Sequence, residues 1–254
     1  MLCKKFQYIK DECAVCGGKG YLFNDDRKFV NGQEQDFAKQ CDCMTKMVKY
    51  CKYDEANIPM EYFDLSLDDF KETSVQQALA KRNVKAVIDN IDKYAREGKS
   101  LFIYGKKGTG KTMLAMEILK AAINKGHSVY YNFYPLVFHD FTKKGYEQDN
   151  IKAAYDKMFV SKDFLVLDEL VKERDYFGAS AEQNEEMSKR FLEMNILKRR
   201  SSKSTIFISN IKNGLDDIQK YYGPYVASMI SHKFEFIDLS DDKLPDFRME
   251  GKQK

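Results

Sequence analysis

The chain has 254 residues, enough for one full α/β domain and a small appendage. Its formal charge of +3, from 42 basic and 39 acidic residues, excludes a global electrostatic grip on nucleic acid, so any such site must be a local patch. No apolar stretch follows Lys4 and Lys5 as a signal peptide would require, and no segment is long enough to span a bilayer, so a soluble, cytoplasmic chain with reduced thiols and no membrane partner is expected.

The first signal along the chain is a set of cysteines. Four of the six fall in two close pairs, Cys13-Ala14-Val15-Cys16 and Cys41-Asp42-Cys43, and Gly17, Gly18 and Gly20 follow the first pair. Thiolates at such spacing suit a closed tetrahedral Zn²⁺ site, with the glycines turning the backbone over the metal. Disulfides are the main rival, and a reducing compartment argues against them. A redox dithiol at Cys13 and Cys16 lacks the strand–helix context it needs. Cys3 and Cys51 read as unliganded thiols. Residues 1–55 are therefore expected to form a zinc-binding module for partner attachment. It has too little apolar content for a core of its own, and metal binding would supply about 10 kcal/mol of folding free energy. Residues 56–74, with Ile58-Pro59, Tyr62, Phe63 and Phe70, read as an ordered linker into a second domain, 75–254.

From Val75 to Glu97 apolar residues recur at helical spacing, which predicts one long amphipathic helix. Leu101-Phe102-Ile103-Tyr104 then reads as a buried strand, and Met113 to Ala122 as a helix. Between them Gly105-Lys106-Lys107-Gly108-Thr109-Gly110-Lys111-Thr112 fits the phosphate-loop pattern G-x-x-x-x-G-K-T. Strand, glycine turn and helix in that order aim backbone N–H groups and the positive end of a helix dipole at one point, which favours a polyanion. Glycines are needed where a Cβ would block the phosphates. Lys111 is placed to reach the β- and γ-phosphates of a nucleoside triphosphate, and the Thr112 hydroxyl to ligate Mg²⁺.

Alternating signals continue: strands at Ser128 to Phe133, Phe164 to Leu167, Thr205 to Ile208 and Phe234 to Ile237, with a clear helix from Glu182 to Arg200. That alternation implies an α/β fold whose parallel sheet is covered on both faces, with ligand at the carboxyl ends of the strands. Asp168 and Glu169 follow one strand directly. The first can hold Mg²⁺ and the second can polarise an attacking water. Asn210, two residues past the next strand, can orient that water or sense the γ-phosphate.

Two stretches fit nucleic acid. Phe133, Tyr134, Phe138 and Phe141, followed by Lys143, Lys144, Lys152 and Lys157, combine aromatic faces and cations as single strands require; the same aromatics at helical spacing also fit a core. Lys198, Arg199, Arg200 and Lys203 end a helix, where its dipole favours cations without any ligand.

The order of phosphate loop, apolar-Asp-Glu, Ile208-Ser209-Asn210 and Tyr222-Gly223 resembles the AAA+ ATPases and, within them, the helicase loaders of the DnaC and DnaI type. The resemblance runs from Ile58-Pro59 to Asp246-Phe247-Arg248 and takes in Ile196-Leu197-Lys198-Arg199-Arg200. It implies an AAA+ P-loop NTPase fold, ATP hydrolysis, and ATP-controlled binding to a replicative hexameric helicase that is placed on single-stranded DNA. Self-association through the ATPase domain would accompany helicase binding. The cysteine-rich module also resembles that of several phage and Gram-positive loaders. Transposition helpers of the IstB type share most of the engine but usually lack such a module. One departure stands out. Met229 falls where these families place an arginine finger, so that Lys233, Arg248 or another base substitutes, or hydrolysis is slow and the chain acts as a nucleotide-locked adaptor.

Overall fold

Five apolar runs, each flanked by turns, set the larger of two units into which the chain divides, residues 64–254; the smaller is 1–63. The computed structural model describes residues 4–23, 28–30, 33–35, 38–144, 153–171, 181–241 and 243–247.

In the smaller unit a short helix α1 (Tyr8–Asp11) is followed by four three-residue strands. β1 (Tyr21–Phe23) pairs antiparallel with β4 (Ala38–Gln40), and β2 (Lys28–Val30) with β3 (Gln33–Gln35). Helix α2 (Asp42–Glu55) turns Met47, Tyr50 and Tyr53 inward. The two tyrosine rings meet Phe63 at centroid distances of 5.0 Å (Tyr50) and 5.4 Å (Tyr53), and Phe6 closes the cluster at 5.6 Å from Tyr50. A small aromatic core therefore forms, and it draws on residues beyond 1–55. Its closing residues, Ile58 and Phe63, lie in the stretch that the sequence reading gave to the linker.

The larger unit is built on β5 (Ser100–Gly105), β6 (Val129–Phe133), β7 (Phe164–Leu170), β8 (Ser204–Ser209) and β9 (Phe234–Leu239). They form one sheet of order β6-β7-β8-β5-β9, and every pairing is parallel. The central strands bury nearly every residue, as parallel strands covered on both faces must. Helices α3 (Val75–Asp89), α4 (Ile91–Glu97), α5 (Lys111–Asn124), α6 (Tyr134–Lys144), α7 (Ala181–Phe191) and α8 (Leu215–Lys233) accompany the strands.

Two helices depart from expectation. The single helix read over 75–97 is two, broken at Asn90, which leaves helical geometry (φ −116°, ψ 25°) and turns its side-chain amide back onto the Ala86 carbonyl at 2.8 Å. An asparagine that competes for helix carbonyls in this way ends the first helix. The helix read from Glu182 continues past Phe191 as a π-helical turn, Leu192–Leu197.

Candidate nucleotide site and cysteine cluster

Strand β5 delivers Gly105 and helix α5 starts at Lys111, so residues 105–110 form the turn between them. Gly110 caps α5 at φ 90°, and a Cβ there would lie 2.6 Å from the Phe70 ring, so handedness and close approach both call for glycine. The Thr109 hydroxyl donates to Lys106 O at 2.9 Å. Lys111 is buried, and its Nζ donates to Gly105 O (2.9 Å) and Lys106 O (2.6 Å), which curls the ammonium over the loop. The end of β9 and the chain after it brace the same turn. Lys106 N donates to Leu239 O at 2.9 Å, and Phe247 N to Gly108 O at 3.1 Å. Lys107 alone among the loop side chains is exposed. The structure therefore gathers Gly105, Lys106, Lys107, Gly108, Thr109, Gly110, Lys111 and Thr112 into the turn after β5 and the first two residues of α5.

Beside it, β7 ends in a bulge. Leu167 pairs with Phe207 and Leu170 with Ser209, so Asp168 and Glu169 together oppose Ile208. An extra residue of this kind re-aims the side chains around it. Asp168 points to α5, where Thr112 Oγ1 donates to its Oδ2 at 2.9 Å, and Tyr131 OH donates to the same oxygen at 3.3 Å. Glu169 takes a left-handed backbone (φ 61°) and accepts from Asn210 Nδ2 at 2.8 Å. Left-handed geometry in a residue with a side chain costs about 1–3 kcal/mol and recurs at functional sites.

Burial raises the Asp168 carboxyl above its usual range, and the Glu169 charge adds to this; hydrogen bonds from Thr112, Glu169 N and Tyr131 oppose it. A buried carboxylate next to a threonine hydroxyl, with a second carboxylate one residue on, is a hard-oxygen set suited to a divalent cation such as Mg²⁺. Asp168, Glu169, Asn210 and Thr112 thus come together as the sequence pattern implied. Tyr131 was not foreseen, because nothing in a strand's alternation tells which tyrosine hydroxyl reaches a carboxylate.

In the smaller unit Cys13, Cys16, Cys41 and Cys43 bring their sulfurs within 4.8 Å of one another. Cys13 and Cys41 Sγ are 3.8 Å apart, Cys16 and Cys43 Sγ 3.6 Å. Four thiolates around zinc at Zn–S of about 2.3 Å are separated by about 3.8 Å, so the set fits a tetrahedral Zn²⁺. Gly20 N donates to Cys16 Sγ at 3.2 Å. Burial works to raise the Cys16 thiol, but that N–H and the neighbouring thiols bring it to about 7. Cys51 is buried and is not among the four clustered sulfurs, and Cys3 lies outside the described residues.

Other candidates separate. Tyr134 and Phe138 are fully buried, and Phe141 packs 4.5 Å from Phe191, so these aromatics belong to the core and not to a stacking surface. Phe133 is 42% exposed and Lys157 is exposed; the side chains of Lys143 and Lys144, and Lys152 as a whole, lie outside the described residues. The second basic cluster is taken up by contacts within the chain. Arg200 is fully buried, Arg199 meets Asp156 at 2.6 Å, Lys198 meets Glu193 at 2.7 Å and Lys203 meets Asp163 at 2.7 Å. Met229 packs against the core, and Lys233 Nζ donates to Lys203 O at 2.8 Å and to Arg200 O. Arg248 lies outside the described residues. No described helix is long and apolar enough to cross a membrane.

A family model described as IstB-like ATP binding protein matches residues 52–221. No curated protein matches the chain. Among solved structures, the DnaC helicase loader is 26% identical, with a TM-score of 0.56 over 71% of this chain and 99% of that one. DnaI is 19% identical, with a TM-score of 0.54 over 71% of this chain and 93% of that one. A putative primosome component from Streptococcus pyogenes serotype M3 is 21% identical, with a TM-score of 0.52 over 72% and 89%.

Proposed function

The chain belongs to the IstB-like ATP binding protein family, and from that premise we propose that it is an ATP-dependent loader of a replicative hexameric helicase onto single-stranded DNA. The larger unit has the AAA+ P-loop NTPase fold, a five-stranded parallel sheet with helices. The observation that carries the loader reading is the likeness to the DnaC helicase loader, which spans 99% of that chain at 26% identity.

In this reading Gly105 to Gly110 cradle the phosphates of ATP with backbone N–H groups, and Lys111 leaves its loop carbonyls for the β- and γ-phosphate oxygens. Thr112 and Asp168 would hold Mg²⁺, which neutralises charge on the phosphate tail when bound. Glu169 takes a proton from the attacking water as its oxygen bonds to the γ-phosphorus and the bond to ADP breaks. Asn210, fixed on Glu169 Oε2, orients that carboxylate. Cys13, Cys16, Cys41 and Cys43 hold a structural Zn²⁺ in a module for partner attachment, all four positions being filled by protein. Helicase-bound copies associate through the ATPase unit.

The test is co-purification with a hexameric replicative helicase, followed by ATPase rates with and without single-stranded DNA, for wild type and Glu169→Gln. Helicase capture that depends on nucleotide supports a loader; no capture under any nucleotide condition removes it. A second reading, a transposition helper, draws on the family match itself and differs in its partner and in double-stranded DNA. The third, a slowly hydrolysing adaptor that regulates a helicase, draws on Met229, whose thioether cannot neutralise transition-state charge. An unstimulated rate that Glu169→Gln leaves unchanged would favour it.

A further inference from the structure

We propose that Tyr222 is a positioning residue for Glu169, holding the acidic end of β7 from helix α8. The proposal rests on the reading of Glu169 as the base. From the bulge onward, the chain is held by three polar contacts in succession. Glu169 Oε2 accepts from Asn210 Nδ2 at 2.8 Å, Leu170 O accepts from Ser209 Oγ at 2.7 Å, and Val171 N donates to Tyr222 OH at 3.1 Å. The first two partners belong to β8 and its exit. Tyr222 comes from a different element, and its side chain is 0% exposed.

The contact falls on strained backbone. Val171 sits at φ 82° and Glu169 at φ 61°, both left-handed, and a β-branched residue in that region persists only where its surroundings impose it. Fixing the Val171 N–H fixes the peptide that follows Leu170, and so limits how the Glu169 backbone can relax. The element that supplies the hydroxyl is itself interrupted at the next residue. Gly223 (φ 83°, ψ 168°) has a conformation essentially reserved for glycine, with Pro224 after it, so α8 is broken immediately behind Tyr222. This gives a role to the Tyr-Gly pair, which the phosphate-loop chemistry leaves without one.

The experiment uses the full chain, with single-turnover ATP hydrolysis and ADP affinity measured for wild type, Tyr222→Phe, Glu169→Gln and the double variant. Tyr222→Phe is expected to lower the rate about 10-fold with ADP affinity and KM within about 2-fold, and to add under about 2-fold in the Glu169→Gln background. An unchanged rate, or the same 10-fold loss persisting in Glu169→Gln, overturns the proposal. Should Tyr222→Phe fail to bind ADP, Gly223→Ala carries the test. Its added Cβ meets only the end of the Lys189 side chain at 3.4 Å but strains the backbone that aims Tyr222. A rate loss silent in Glu169→Gln supports coupling, and no loss refutes it. If Glu169→Gln itself leaves hydrolysis untouched, the parent reading falls instead, and the two failures are distinct.

Discussion

Thr112 Oγ1 and Asp168 Oδ2 stand 2.9 Å apart, joining the first turn of α5 to β7 across 56 positions of sequence. If this pair holds Mg²⁺, either partner should be needed for the metal-dependent part of nucleotide affinity. Asp168→Asn and Thr112→Ala are expected to weaken Mg²⁺-ATP about 10- to 100-fold and metal-free ATP far less, read by titration with and without chelator. Equal loss in both titrations would point to damaged folding at the loop.

The residues that carry this pair were legible because each lies inside a local pattern: a glycine-rich turn between strand and helix, and two acids directly after an apolar run. The strands were legible for the same reason, since a fully buried strand is an apolar run bounded by turns. What was missed depends on contacts remote in sequence. Phe63 reads as linker until Phe6, Tyr50 and Tyr53 surround it. Tyr222 reads as half of a turn until its hydroxyl meets Val171 N. Phe138 could stack on a base or fill a core by periodicity alone, and only burial decides for the core. The break at Asn90 had a local cause, one side chain turned onto Ala86 O, but the apolar spacing ran through it unchanged.

The cysteine set makes a prediction for metal content. One equivalent of zinc per chain is expected by elemental analysis, falling below half an equivalent in Cys16→Ser or Cys41→Ser. Because the cluster lies in residues 1–63 and the phosphate loop in 64–254, ADP affinity should change less than about 2-fold in these variants. Wild-type chain purified without zinc, yet folded through residues 4–23, would remove the structural role.

Asp163 supplies a pH-dependent clamp at the start of β7. It accepts from Ser128 N (3.0 Å), Ser128 Oγ (2.8 Å) and Lys203 Nζ (2.7 Å). Burial works to raise its carboxyl, but Lys203 and the two Ser128 donors hold it down to about 2. A carboxylate lowered on folding adds stability above its unfolded value near 3.9 and loses it as pH falls through the folded one. Asp163→Asn should therefore cost about 1 kcal/mol at neutral pH, a figure reduced for the solvent screening of this half-open pair, and the gap to wild type should close between pH 4 and pH 2. Urea midpoints at pH 6 and pH 3 measure it; a gap constant across that range would exclude Asp163 as the titrating group.

Among the described residues Arg200 is the largest fully buried side chain, and its guanidinium spans two elements. Nε donates to Thr205 Oγ1 at 2.9 Å, Nη2 to Ser204 O, and Nη1 to Val160 O (3.1 Å), Lys162 O (2.9 Å) and Phe159 O. Burial lowers it to about 10, still charged at neutral pH. A planar fork can serve β8 and the 159–162 turn together; an ammonium donates from a single point and cannot. Arg200→Lys is expected to cost about 2–3 kcal/mol, and Arg200→Met more, since it leaves buried carbonyls without a donor. Urea unfolding of both variants measures the difference. Were Arg200→Met as stable as wild type, these carbonyls would have to find water or other donors, and the guanidinium would not be what holds β8 to the 159–162 turn.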